Sequence, residues 1–117
     1  MKLTEIHFAG VRPIDSYGPG FFRVAGLIHT GPLALFPGAQ GAWAGFEDAA
    51  PFVARRADFD VLFVGTGAQM LPLPAPFRSA LEAAGIGIEP MATPAACRSY
   101  NVCLAEGRRI AAALVPV

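Results

Sequence analysis

The fold is decided by residues 60–117, which read DVLFVGTGAQMLPLPAPFRSALEAAGIGIEPMATPAACRSYNVCLAEGRRIAAALVPV. Residues 61–64 are apolar throughout, which predicts a central parallel strand covered on both faces. Gly65-Thr66-Gly67 is predicted to end this strand with a tight turn. A helix is predicted over residues 77–84 and another strand over residues 86–89, so this stretch indicates parallel strands joined by helices.

The last helix carries most of the polar residues that invite a functional interpretation. We predict that it begins with Thr93 as its N-cap and Pro94 at its first helical position. It is predicted to run to about Ala105 and to stop at Gly107. A final strand is expected over residues 109–115. Strands alternating with helices therefore predict an α/β sheet in this half of the chain.

The N-terminal half is predicted to contain short strands and turns. Strands are expected at residues 3–8, 21–25, 27–30 and 33–36. A turn region is expected at residues 10–20, a loop at residues 39–45 with Trp43 packed on the core, and a helix at residues 46–56. Because strands come first and alternating elements follow, we expect a mixed sheet covered by helices, with an additional antiparallel β layer from the N-terminal half. The 117 residues suit one domain, 1–117.

Composition and charge restrict the class of function. Hydrophobic residues make up 54% of the chain and charged residues 15%, which is typical of a globular protein. Nine basic and nine acidic residues give a formal net charge of zero, which argues against nucleic acid as a partner. No apolar segment approaches the roughly 20 residues of a transmembrane helix, and no secretion signal is recognised. Cys97 and Cys103 lie on one predicted helix, cannot bridge each other, and indicate a reducing compartment.

Gly65-Thr66-Gly67 superficially matches a dinucleotide-binding loop, because it follows an apolar strand and Glu89 comes 24 residues after Gly65. Met70 stands where that motif needs a third glycine, and three prolines separate the glycines from the next helix. A helix N-terminus at the glycines is what binds the pyrophosphate in such folds. A nucleotide-dependent oxidoreductase is therefore the third-ranked interpretation.

A smaller anion site is the alternative that the same loop supports. If the strands at residues 61–64 and 86–89 are parallel, the glycine loop and the helix start open on one edge of the sheet. Thr66, Thr93, the amides after Pro94 and Arg98 could then bind a small anion or another small molecule.

Tyr100 and Asn101 are the polar residues expected closest to the core. A buried Asn or Tyr must find hydrogen-bond partners, so we predict a structural bond that ties this helix to the Gly65–Gly67 loop, with a catalytic role as the less favoured alternative. His7 and His29 belong to no spaced ligand set. No complete catalytic set and no metal site are recognised, and no cofactor is expected.

Four ordered segments resemble those of a known family. They are Val64-Gly65-Thr66-Gly67, Gly85-Ile86-Gly87-Ile88-Glu89, Met91-x-Thr93-x-x-Ala96-x-x-Ser99-Tyr100-Asn101, and Glu106-Gly107-Arg108-Arg109-Ile110-Ala111-Ala112-Ala113-Leu114. Together they resemble a small α/β family of largely unknown function, which includes a mitochondrial respiratory complex I assembly factor and a cytosolic protein linked to adipogenesis. Ser99 departs from the threonine usual in the family but keeps the hydroxyl.

The resemblance implies a three-layer fold around a five-stranded mixed sheet with one antiparallel strand. It implies no established enzymatic activity. It also implies a shared surface formed by Gly65, Thr66, Gly67, Thr93, Tyr100 and Asn101.

The leading interpretation is a soluble, non-enzymatic module that binds other proteins and resembles assembly factors of membrane respiratory complexes. Subunits of such a complex are the candidate partners. We expect the protein in the cytoplasm, where it could lie against the inner membrane. The binder of a small molecule or anion at Gly65–Gly67 and the Thr93 helix start remains the alternative.

Overall fold

The structure is a computed structural model that describes the backbone of residues 5–7 and both backbone and side chains of residues 12–117. The strand predicted at residues 3–8 is confirmed over Glu5–His7. The rest of that strand lies outside the described residues, as does the side chain of His7.

The described chain forms two sheets and three α-helices. The strands are β1 (Glu5–His7), β2 (Ile14–Gly18), β3 (Phe21–Val24), β4 (Leu27–Thr30), β5 (Leu33–Phe36), β6 (Ala39–Ala42), β7 (Val61–Thr66), β8 (Gly87–Met91) and β9 (Ile110–Val115). The helices are α1 (Ala50–Ala54), α2 (Ala75–Ala83) and α3 (Thr93–Ala105), and a short 3-10 helix spans Arg56–Asp58.

The main sheet has the strand order β1-β6-β5-β9-β7-β8. Strands β7, β8 and β9 are parallel, β5 is antiparallel to β9, and β6 is antiparallel to β5. Within β6-β5-β9-β7-β8, only β5 therefore runs against the others, as predicted. β1 adds a sixth, antiparallel strand beside β6. The smaller sheet, β2-β3-β4, is the separate antiparallel layer that was expected. The α/β fold class is confirmed.

Two hydrophobic cores lie on opposite faces of the main sheet. One contains side chains of the small sheet, such as Phe22, together with α3 side chains such as Tyr100. The other contains the α1 and α2 residues Phe52 and Phe77. β9 contributes to both cores, because alternate residues point to opposite faces of a strand. Ile110, Ala112 and Leu114 belong to the first core, and Ala111 and Ala113 to the second.

Three predictions for the N-terminal half are wrong. Residues 14–18 form β2, although a turn region was expected there. Residues 39–42 form β6, because the turn at Pro37-Gly38 folds them back onto β5 as a hairpin. The helix expected at residues 46–56 is reduced to α1, Ala50–Ala54, followed by the 3-10 turn.

Trp43 packs on the core as predicted. Its indole Nε1 donates a hydrogen bond of 2.8 Å to the carbonyl oxygen of Asp48. The ring lies edge-on to Phe52, with a centroid distance of 5.4 Å. The indole N–H therefore has a hydrogen-bond partner and the ring has aromatic contacts, and both interactions hold residues 43–49 against the second core.

Candidate functional site

The Gly65–Gly67 segment and the start of α3 meet at the carboxyl edge of the parallel strands. β7 continues through Gly65 and Thr66 instead of ending at residue 64. The Gly67 amide donates a hydrogen bond of 2.8 Å to Thr93 Oγ1, and the Thr93 amide donates one of 2.8 Å to the Gly67 carbonyl oxygen. The predicted juxtaposition is confirmed.

Thr93 is not the N-cap of α3. The N-cap is Ala92, and no side chain caps the helix. The Thr93 side chain is fully buried, and its hydroxyl donates a hydrogen bond of 2.6 Å to the Val115 carbonyl oxygen while accepting the Gly67 amide. The hydroxyl is thus a bridge between the end of β7, the start of α3 and the end of β9. It prefers these partners to a cap because burial leaves no water to satisfy the Val115 carbonyl.

The Thr66 hydroxyl organises the loop that follows β7. It donates a hydrogen bond of 2.6 Å to the Gln69 carbonyl oxygen and accepts one of 3.0 Å from the Leu71 amide. The Met91 carbonyl oxygen lies 3.2 Å from the same hydroxyl oxygen. Because Thr66 is only 6% exposed, this hydroxyl serves the loop backbone and β8.

Gly65 and Gly67 are each required by a different physical constraint. A Cβ on Gly65 would lie 2.7 Å from Thr93 Oγ1 and 3.1 Å from Thr93 Cα, so α3 can approach β7 this closely only without a side chain there. Gly67 has φ +101°, a left-handed conformation that favours glycine. Both residues are therefore explained by the contact between β7 and α3.

Arg98 is exposed on α3, and neither threonine hydroxyl has it as a partner. It lies next to the buried Cys97. Burial raises the pKa of the Cys97 thiol to about 11, and the positive charge of Arg98 opposes that rise. Cys97 and Cys103 are buried, free thiols.

Asn101 ties α3 to the small sheet and not to the Gly65–Gly67 loop, so its predicted partner was wrong. The Ile14 amide donates a hydrogen bond of 2.8 Å to Asn101 Oδ1, and Asn101 Nδ2 donates one of 2.8 Å to the Ile14 carbonyl oxygen. The Asn101 side chain thus pairs with both main-chain groups of Ile14, as a residue of a neighbouring strand would. Tyr100 lies inside the first core, where burial raises the pKa of its hydroxyl.

Gln40 and His29 form a polar contact that sequence reasoning missed. Gln40 is 1% exposed, and its Nε2 lies 2.8 Å from His29 Nε2, which joins β6 to β4. An amide nitrogen can only donate, so His29 Nε2 accepts this hydrogen bond in the tautomer that carries its proton on Nδ1. Partial burial lowers the pKa of His29, which favours the neutral imidazole. Gln40 Oε1 has no hydrogen-bond partner among the residues that the structure describes. The sequence signal was a lone amide in a segment of small residues.

The large exposed hydrophobic side chains of residues 12–117 are not the ones at which the sequence suggested a patch. A patch at Phe21, Phe22 or Trp43 would have indicated a protein partner, but Phe22 and Trp43 are buried and Phe21 is half-buried. Among the residues whose side chains are described, the large exposed ones are instead Tyr17, Leu27, Ile28, Met70, Leu71 and Val102.

The arrangement as a whole supplies few free polar groups. Both threonine hydroxyls already hold main-chain partners, and Asn101 uses both ends of its amide. In residues 12–117, no group of three or more His, Cys, Asp or Glu side chains is placed to hold a metal ion. Binding of a ligand by Gly65, Thr66, Gly67, Thr93, Arg98, Tyr100 and Asn101 stays a prediction.

The chain is similar to a protein family, to individual proteins and to solved structures. Residues 14–115 match the family described as protein of unknown function (DUF498/DUF598). The chain belongs to this family. The DUF498/DUF598 match covers the small sheet, the crevice and β9, so the resemblance read from the four sequence segments is confirmed.

An uncharacterised protein of Rhodobacter capsulatus is 49% identical over 117 residues, which are 100% of this chain and 94% of that relative. The NADH dehydrogenase [ubiquinone] 1 alpha subcomplex assembly factor 3 of Danio rerio is 34% identical over 110 residues. That alignment covers 88% of this chain and 63% of the relative, so the chain spans less than two thirds of the assembly factor.

A solved structure shares the fold as well as the sequence pattern. The crystal structure of a protein from Bartonella henselae, described as an outer membrane protein, superimposes with a TM-score of 0.82 and 38% identity. It covers 95% of this chain and 100% of its own. No described helix of the present protein is long and apolar enough to cross a bilayer.

Proposed function

We propose that this protein is a non-enzymatic module that binds other proteins and assists the assembly of a membrane respiratory complex. The similarity to an assembly factor of NADH dehydrogenase supports this proposal. Subunits of that complex are the proposed partners. The proposed location is the cytoplasm, against the inner membrane.

One observation carries the non-enzymatic part of the proposal: the threonine hydroxyls at the predicted crevice already form hydrogen bonds with the main chain. Thr66 and Thr93 each bond to main-chain groups at 2.6 Å. A hydroxyl that acts on a substrate must exchange its partner during the reaction, and here the exchange would release α3 or the loop from β7. The crevice therefore serves the stability of the fold.

The exposed hydrophobic side chains support a protein partner. Leu27 and Ile28 are adjacent and are 51% and 49% exposed, and Met70 and Leu71 form a second adjacent pair. Exposed apolar surface that has no role in the core gains stability when a partner covers it.

Deletion of the gene in the source organism tests the proposed function. We expect less assembled NADH:quinone oxidoreductase on native gels, accumulation of subassemblies, and recovery with the wild-type gene. A normal amount of the assembled complex in the deletion strain would refute the proposal. Fractionation of the cells tests the location, with the cytoplasmic and inner-membrane fractions expected to hold the protein.

A thermal-shift screen separates this proposal from the anion-binding alternative. Sulfate, phosphate, nucleotides and flavins are the appropriate probes, because a ligand that binds the folded state raises the melting temperature. Stabilisation by one of them that Arg98→Ala abolishes would favour the alternative.

A further inference from the structure

An open groove lies between residues 44–49 and the start of α2, with a volume of about 870 Å³. Its principal lining residues are Ala44, Phe46 and Glu47 on one side and Pro74, Phe77 and Ala80 on the other. The groove is separate from the crevice at Gly65–Gly67, and it is on the face of the main sheet that α1 and α2 cover.

The groove has a preformed aromatic floor. The rings of Phe46 and Phe77 lie 5.3 Å apart, and both contact Trp43, at 5.5 and 5.8 Å. Trp43 is buried and hydrogen-bonded to the Asp48 carbonyl oxygen. Because the rings are held from below, a ligand would meet a surface that is already ordered, which lowers the entropic cost of binding.

Glu47 is the one ionisable side chain among the residues that line the groove. It is exposed, and within the described part of the chain it forms no ion pair. Arg78, the basic residue of α2, is already paired with Glu82 at 3.4 Å. The rim of the groove therefore carries an uncompensated negative charge beside apolar walls.

We propose that this groove binds a segment of a partner protein that is apolar on one face and carries a lysine or arginine. The apolar side chains would lie on the half-buried Phe46 ring and on the exposed walls at Pro74 and Ala80, above the buried Phe77. The basic side chain would pair with Glu47. This proposal rests on the proposed function and specifies the surface that performs it. A small-molecule site would need several converging polar groups, whereas this groove offers one carboxylate and walls of alanine and proline.

Two synthetic helical peptides of leucine and lysine, or of leucine and glutamate, are the probes. We expect the lysine peptide to shift the amide resonances of residues 44–49 and 75–80 in an NMR titration, and the glutamate peptide to bind at least ~5-fold more weakly, as an exposed charge pair of about 1 kcal/mol implies. Glu47→Lys should reverse this preference. The preference should also shrink as salt concentration rises.

A steric pair of variants tests the place of binding. Ala80→Trp fills the groove from α2, whereas Ala83→Trp adds the same side chain at an exposed position of α2 that does not line it. We expect Ala80→Trp to weaken binding of the lysine peptide at least ~10-fold and Ala83→Trp to leave it unchanged. Circular dichroism checks that all variants are folded.

Several results would overturn the proposal. They are equal binding of the two peptides, a preference that Glu47→Lys leaves unchanged, or resonance shifts confined to another surface such as β4. A dimer in sedimentation experiments that Glu47→Lys dissociates would assign the groove to a second copy of the chain. None of these results depends on the deletion phenotype, so failure of the groove and failure of the proposed function are distinguishable.

Discussion

Asn101→Ala is expected to loosen the small sheet from α3. The variant removes two hydrogen bonds of 2.8 Å that join residues 87 positions apart. Losing each bond costs about 1–1.5 kcal/mol, because the Ile14 amide and carbonyl are left without a partner in a residue that is largely buried. Alanine returns about 0.5 kcal/mol because it is the better helix former. The expected loss is therefore about 2 kcal/mol of unfolding free energy.

For 117 residues, the unfolding entropy is about 250 cal/mol/K, so this loss corresponds to a fall in melting temperature of about 8 °C. Urea unfolding gives the free energy, and hydrogen exchange gives the protection of the Ile14 amide. Val102→Ala is the matched control, because Val102 is the next residue of α3 and its side chain is exposed. If Asn101→Ala and Val102→Ala are equally stable and Ile14 stays protected, the proposed tether is wrong.

Three further predictions concern the sheet. Gly65→Ala should cost about 1–3 kcal/mol of unfolding free energy, since its Cβ would lie 2.7 Å from Thr93 Oγ1. In the control Gly87→Ala on β8, the new Cβ meets only the Asp60 carbonyl oxygen at 3.8 Å, so urea unfolding should show a clearly smaller loss, and equal losses would contradict the argument. Thr93→Val should lose about 2–3 kcal/mol of unfolding free energy, because valine keeps the shape of threonine but has no hydroxyl. Thr93→Ser should recover most of this loss in urea unfolding, and a serine variant no more stable than the valine variant would count against the hydrogen bonds. The hydrogen bond from Arg109 lowers the pKa of Asp60 in the folded state, so the stability it contributes is present above the ordinary value of 3.8 and is lost as pH falls through the lowered pKa. The difference in urea midpoint between wild type and Asp60→Asn should therefore be present at neutral pH and disappear in acid, and a difference that is the same at both pH values would refute this.

The C-terminal half of the fold could be predicted because its signals are local. Residues 61–64 are apolar without interruption, and Gly107, with φ +77°, stops α3 two residues beyond Ala105. Strand β9 lies within the predicted residues 109–115. Apolar runs and glycine stops act on their immediate neighbours, so a single sequence displays them.

The errors arose where distant residues decide the local structure. Residues 39–42 read Ala-Gln-Gly-Ala, a composition with little preference for a strand, and they form β6 only because β5 and β1 pair with them. Similarly, the Thr93 hydroxyl looked like a helix cap, but its partners are 22 and 26 residues away. The partner of Asn101 is more distant still.

The sequence predicted that the Gly65–Gly67 loop meets the start of α3, but it did not predict which groups the threonine hydroxyls bind there. The parallel pairing of β7 with β8 brings residues 65–67 to the start of α3, as the parallel strands expected at residues 61–64 and 86–89 implied. What the sequence could not reveal is that the main-chain groups there need the threonine hydroxyls. Such a need depends on which carbonyls and amides are left buried without a strand or helix partner.

During translation, the ribosome delivers β9 last among the strands, although the main sheet requires it at the centre. Residues 33–42 can form an antiparallel pair, and residues 61–91 can supply a parallel pair, but in the described sheet Ile110–Val115 joins the two. A nascent chain shorter than about residue 110 therefore keeps two open sheet edges that a chaperone or a neighbouring nascent chain can occupy. The main sheet can therefore close only after Ile110–Val115 has been made.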